Sequence, residues 1–163
     1  MCIIFVHYFL ICRNNLNLQD IINIVWEMKN SKILFKTPDD VEAVFYEAFM
    51  RCDAEVMAGL WADEGVTCVH PGSGAIVNYD AIVRSWANIF SNAQGTRIKH
   101  TVMTRSLSDE LAVHFVAEEI PDSGTVVAVV LATNVYRKFD QGWLMIEHHA
   151  SVVQSRHNGE TLQ

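Results

Sequence analysis

No run of lysine and arginine in this sequence could follow a phosphate backbone. The 163 residues carry 12 Lys and Arg against 19 Asp and Glu, a formal charge of −7. A nucleic-acid partner is therefore not expected. Close cysteine spacing is also missing. Cys2, Cys12, Cys52 and Cys68 form no CxxC, so they read as small apolar fillers in a reducing, cytoplasmic setting rather than as a zinc cluster. The most apolar stretch, CIIFVHYFLIC at 2–12, is too short to span a bilayer and runs into Arg13. It lacks the basic flank and small-residue cleavage site of a signal peptide, so no membrane partner is expected. HExxH, GxGxxG and GxxxxGK[ST] are absent, GSG at 72–74 matching neither nucleotide cradle. No internal repeat or low-complexity tract interrupts the chain, and no cofactor or metal is expected.

What is present suits one globular domain: half the residues are apolar and 19% are charged. Residues 1–36 read as an N-terminal extension with a weak helix near 18–28, and Met28 could be a natural start. A docked helix is the alternative, with Ile21, Ile22, Val25 and Trp26 covering an apolar face. Residues 37–155 form the compact domain and 156–163 a C-terminal tail. Thr37-Pro38-Asp39-Asp40 opens a helix, since a hydroxyl cap, an early proline and two acids all complement free N–H groups. Val41, Val44, Phe45, Ala48, Phe49 and Cys52 then recur at helical spacing. Asp53 can cap a second, short helix with Val56, Met57, Leu60 and Trp61 inward. VTCV forms a short strand stopped by His70-Pro71-Gly72. Asn78 or Asp80 begins a third helix, whose apolar face is Ile82, Val83, Trp86, Ile89 and Phe90.

Four long strands are predicted at 96–106, 110–120, 125–138 and 143–154, with turns at DE, PDSG and DQG. Such short links demand antiparallel pairing. Helices followed by a meander give an α+β fold. Strands of this length suggest a sheet that curls around its helices into a cone.

Strand alternation selects the residues that could carry chemistry. Val130, Ala132, Asn134 and Tyr136 share one face, making Asn134 a neutral polar group in a row suited to a pocket wall. Leu131, Thr133 and Val135 share the other. His148 and His149 point oppositely unless a bulge intervenes. His149 is favoured for the interior because Ser151 shares its face. His70 ends a strand directly before a turn. An imidazole there suits general base work, its pKa lying near neutrality, and Asn134 could donate to a developing oxyanion. Active chemistry, passive ligand binding and a structural or assembly role all remain open. The candidate catalytic residues are thus His70, Asn134 and His149.

Histidines 70, 100, 114, 148 and 149 could also converge on a metal, but their spacings match no ligand motif. Cys68 and His70 lie two apart on one strand, about 7 Å between side chains, too far for a nucleophilic pair. Glu118-Glu119 places one acid on each face, so one of them could be buried. Trp61, Trp86 and Trp143 are possible flat pocket walls, although hydrophobic packing is the stronger reading.

The strings VFYEAFMRCDAEVMAGLWADEGVTCVHPGSG (44–74), YDAIVRSWANIF (79–90) and NVYRKFDQGWLMIEHHAS (134–151) resemble the SnoaL-like branch of the NTF2-like superfamily, relatives of ketosteroid isomerase and polyketide cyclases, over about 38–155. The resemblance implies an NTF2-like (cystatin-like) cone, a strongly curved antiparallel sheet wrapped around N-terminal helices. It also implies a pocket for an apolar or aromatic small molecule and a homodimer through the outer sheet face, for which Leu131, Thr133 and Val135 are available. In similar isomerases a helix tyrosine and a strand aspartate form an oxyanion hole and a second aspartate shuttles the proton. Those positions fall here at Phe45, with Tyr46 adjacent, at Asn134 and at His70. Steroid isomerisation is therefore not expected literally, but isomerase- or cyclase-like acid/base chemistry through His70 is. Phe45, Tyr46, Trp61, Trp86, Tyr136 and His148 are the candidate ligand-binding residues.

Overall fold

The computed structural model describes residues 35–93, 97–121 and 127–153. The proposed extension, the C-terminal tail and most of the PDSG turn lie outside them. Helix α1 spans Pro38–Arg51, and its start follows from sequence: Thr37 accepts from the Asp40 N–H at 3.2 Å while Asp40 accepts from the Thr37 N–H at 2.9 Å. Two otherwise unpaired donors are thereby satisfied. The helix ends at Cys52, which adopts a left-handed conformation (φ 54°) so that its N–H and that of Asp53 can close the last turn. Asp53 caps α2, Ala54–Gly59, by accepting from the Val56 N–H at 3.0 Å. Asn78 caps α3, Tyr79–Ser91, through the Ala81 N–H at 2.8 Å.

The strands are β1 Thr67–Val69, β2 Ile76–Val77, β3 Lys99–Leu107, β4 Leu111–Pro121, β5 Val127–Phe139 and β6 Gly142–Val152. The last four lie close to the ranges predicted from alternation and turn residues. They pair antiparallel in chain order, and β1 adds beside β6 in parallel, with β2 antiparallel outside it. A crossover through α3 and the whole meander separates β1 from β6, which supplies the length that parallel pairing requires.

Two parts of the expected fold need correction. The sheet is mixed rather than purely antiparallel. It is also open and not strongly curved: the order runs linearly β2-β1-β6-β5-β4-β3, and β2 and β3 do not meet. Strand length had suggested a wrapped cone, but length fixes only how far a strand reaches. Closure requires the edge strands to pair with each other.

One face of the sheet carries the core. Ala112, His114, Val116 and Glu118 of β4 alternate inward with Ala132, Asn134 and Tyr136 of β5, and Phe45, Tyr46 and Ala48 of α1 pack on them with Ile82, Trp86 and Phe90 of α3. Phe35 joins the same core, and its carbonyl accepts from the Trp143 N–H at 2.9 Å. Each large side chain buried this way contributes about 1.5–3 kcal/mol, so the core residues fix how α1 and α3 sit over the sheet.

Candidate functional site

The interior face holds polar groups that an ordinary core would exclude, and each meets a partner across elements. Tyr46, on α1, donates its hydroxyl to Glu118 Oε1 of β4 at 2.8 Å. The Asn134 amide lies 3.5 Å from the same hydroxyl, a weak contact, while its Oδ1 accepts from His148 Nδ1 at 2.7 Å. Because an amide oxygen can only accept, that bond places the His148 proton on Nδ1 and leaves Nε2 with the lone pair. His100 stacks flat on Tyr46, ring centroids 3.9 Å apart. Farther along α1, Glu42 Oε2 meets His114 Nδ1 at 2.6 Å.

Burial sets the ionisation of these groups. It lowers His148 to about 3, helped by the nearby His70 and His149, so the ring is neutral at pH 7. Burial raises Glu118, opposed by the Tyr46 hydrogen bond and assisted by the Glu42 charge. Burial and the Glu118 charge push Tyr46 far up, so it serves as a donor and not as a phenolate.

His70 stands at the exit of β1, half-buried, and the following residues hold it there. Gly72 adopts φ 76°, a conformation costly for other residues, and the turn lets Ser73 return. Ser73 Oγ accepts from the His70 N–H at 3.1 Å, and the Ser73 N–H donates to the His70 carbonyl at 2.9 Å. The ring meets Trp86 edge-on, centroids 4.6 Å apart, and Nε2 lies 2.9 Å from Ser85 Oγ. Ser85 spends its single proton on the Ile82 carbonyl at 2.7 Å. It must therefore accept from His70 Nε2–H, which leaves the lone pair on Nδ1. Burial lowers the His70 pKa.

Cys68 Sγ sits 3.9 Å from Nδ1 and 3.8 Å from Nε2, nearer than regular strand spacing gives, because β1 ends at Val69 and the chain turns at His70. Burial holds the thiol up at about 12, so it is neutral and no thiolate pair exists.

The sequence-derived residues divide as follows. Phe45 and Trp86 touch His148, at centroid distances of 5.1 and 5.8 Å, and Trp86 also touches His70. Tyr46 and Asn134 join the same group through their hydrogen bonds. Tyr136 lies beside His114 at 5.0 Å, and Trp61 is buried in the common core without a ring contact to the others. The preference for His149 as the interior ring is corrected: His149 is exposed and His148 is buried. Ser151, the reason for that preference, is itself exposed with His149, whereas His148 pairs with the inward Asn134. The strand also carries a bulge. Val135 pairs with Glu147, but Tyr136 pairs with Met145, so Ile146 is an extra residue in β6. One inserted residue reverses the alternation and places Met145 and His148 on the same side.

Ser85 and Glu42 were not found from sequence. Glu42 precedes Phe45 and Tyr46 by three and four residues, which places it on the buried face of α1, and that spacing was the available signal. Trp61 Nε1, Trp86 Nε1, Tyr136 Oη and Glu42 Oε1 are buried polar atoms without a hydrogen-bond partner.

Residues 40–155 match the family model of the SnoaL-like domain. The chain is similar to the F-box protein SKIP8 of Arabidopsis thaliana, 34% identical over 115 residues, and that match covers 69% of this chain and 48% of the relative. The chain thus spans about half the length of that curated relative. Among solved structures it resembles a protein described as a candidate calcium/calmodulin-dependent protein kinase type II association domain from Thiobacillus denitrificans. The TM-score is 0.71 at 31% identity, over 74% of this chain and 98% of that one. A protein described as a candidate dehydratase of the NTF2-like family from Streptomyces avermitilis gives a TM-score of 0.64 at 32% identity, over 72% and 94%.

Proposed function

This chain belongs to the SnoaL-like domain family, and on that premise we propose that it binds an apolar or aromatic small molecule against the inner sheet face and acts on it by proton transfer. The observation that carries the reading is the pair of neutral imidazoles on Trp86, one half-buried and one committed to Asn134. Isomerase- or cyclase-like chemistry needs a base that removes a proton beside a carbonyl and returns it elsewhere, with a donor for the enolate oxygen. His70 Nδ1 is the proposed base: its lone pair is fixed by the Ser85 contact, and its lowered pKa keeps it unprotonated at pH 7. The Asn134 amide and the unpartnered Trp86 Nε1–H are the proposed donors, and Phe45 and Tyr46 are the proposed apolar wall. His149 takes no part in this arrangement.

Native mass spectrometry of the full chain tests binding, by retention of a small molecule on the folded protein. For turnover, His70→Ala and His70→Gln should each abolish conversion of a recovered ligand while leaving its affinity largely intact and lowering stability only modestly, by about the 0.5–1.5 kcal/mol of the lost Ser85 hydrogen bond. Undiminished conversion by both variants would remove His70 from the mechanism.

A second reading, a non-catalytic dimeric binding or assembly module, is favoured by the outer face. Ala117 pairs with Leu131, Phe115 with Thr133 and Val113 with Val135, and all six are half-buried. We assign the proposed homodimer contact to this row. The same spectra give the subunit count. Free Cys52 and Cys68 support a reducing, cytoplasmic setting. Among the described residues no helix is long and apolar enough to cross a membrane.

A further inference from the structure

We propose that Asp39, Glu42 and His114 form a binding site for one divalent transition-metal cation, with zinc as its probe. One donor atom from each of the three lies within 4.8 Å of the others. Asp39 and Glu42 are three residues apart, so the first turn of α1 presents both carboxylates on one side. His114 faces them from β4. One imidazole nitrogen and two carboxylate oxygens form a borderline donor set, suited to zinc and its first-row neighbours more than to magnesium or calcium. No metal was expected from the sequence, and the histidine set weighed and set aside there shares only His114 with this one.

The arrangement also has an ordinary explanation, a buried Glu42–His114 ion pair beside a surface pair in which Arg105 binds Asp39 Oδ1 at 2.9 and 3.0 Å. A further observation favours a ligand. Glu42 Oε1 is buried and has no partner, although the residue is only 3% exposed. Both Arg105 contacts use Asp39 Oδ1, so the guanidinium can hold that oxygen while Oδ2 turns to an ion. Access exists because the Asp39 side chain is 58% exposed while Glu42 and His114 are buried behind it. An ion held there would tie the start of α1 to β4.

The test uses the full chain, stripped with EDTA and titrated calorimetrically with zinc chloride alone, and its melting temperature with and without zinc. One equivalent should bind and the melting temperature should rise, as it must for any ligand that prefers the folded state. Asp39→Asn, at a half-exposed position, and Glu42→Gln should each weaken zinc binding at least tenfold and remove the thermal shift, while circular dichroism shows the fold intact. A cobalt-substituted sample should show the visible absorption of a low-coordinate site, lost in Asp39→Asn. Absence of zinc binding by the wild type would overturn the assignment. Undiminished binding by both variants would overturn it too, since the ion would then be held by other histidines or cysteines of the chain. Neither readout depends on His70 or on turnover, so failure here leaves the proposed proton transfer untouched.

Discussion

His70 and His148 are the same chemical group placed against the same indole in two different settings. His148 is enclosed, and its Nδ1 proton is committed to Asn134. His70 stands half out of the fold, held by a turn on one side and by Ser85 on the other. Burial keeps both neutral at pH 7, so charge does not distinguish them. Access does: a ring that must exchange a proton has to reach both its substrate and water, and only His70 borders the outside. The enclosed ring supplies shape and a fixed hydrogen bond. In the proposed mechanism the two imidazoles would divide between them the tasks of moving a proton and of organising the surroundings.

The largest expected effect breaks the wall they share. Trp86→Ala removes the surface on which both rings rest and should cost about 3–5 kcal/mol in a urea titration. A loss below about 1 kcal/mol would show that each ring is held independently of the indole. A smaller effect sharpens the contrast by pH. His148 has a folded pKa below its unfolded one, so the unfolded chain binds the extra proton. Its contribution is complete above about pH 6.5 and is lost as the pH falls toward 3. The slope reaches ~1.4 kcal/mol per pH unit, or about 2 kcal/mol between pH 6.5 and 5. Glu118 acts in the opposite sense: its raised pKa gives stability that is present below about 4.5 and lost as the pH rises through its folded value. His148→Gln should therefore show a flatter fall in its urea midpoint between pH 6.5 and 5 than the wild type, whereas His70→Gln should change that slope less. The smallest effect concerns the tautomer. Ser85→Ala deprives His70 Nε2–H of its acceptor and should cost about 0.5–1.5 kcal/mol. Nitrogen NMR should then show the ring as a mixture of tautomers, and an unchanged spectrum would mean that another group sets the proton.

Much of this was legible in the sequence. Thr37 and Asp53 announced two helix starts by cap chemistry, which depends only on the neighbouring few residues, and the structure chooses Asn78 over Asp80 for the third. Alternation put Asn134 and Tyr136 on the inner face, and the structure agrees. The inward histidine was misread because Ser151 was taken to mark an interior face, whereas a hydroxyl is equally at home in water and Ser151 is exposed with His149. The open sheet was misread for a different reason: whether edges meet depends on twist summed over six strands, and no local string records that sum. Ser85 escaped notice because a serine on a helix is commonplace, and its significance comes from His70, fifteen residues away, turning back onto it.

Among the described residues no strand pairs with the outer side of β3, and an edge left so is an invitation for a foreign strand to add and for chains to stack into aggregates. This border discourages such visitors. Lys99 and Arg105 place charge along it, and the ladder slips between Val102 and Thr104, so an incoming straight strand could not stay in step. The opposite border, β2, is two residues long and offers little to grip. Exchanging Lys99 and Arg105 for valine should therefore increase association at high concentration, read by light scattering, while leaving the core intact.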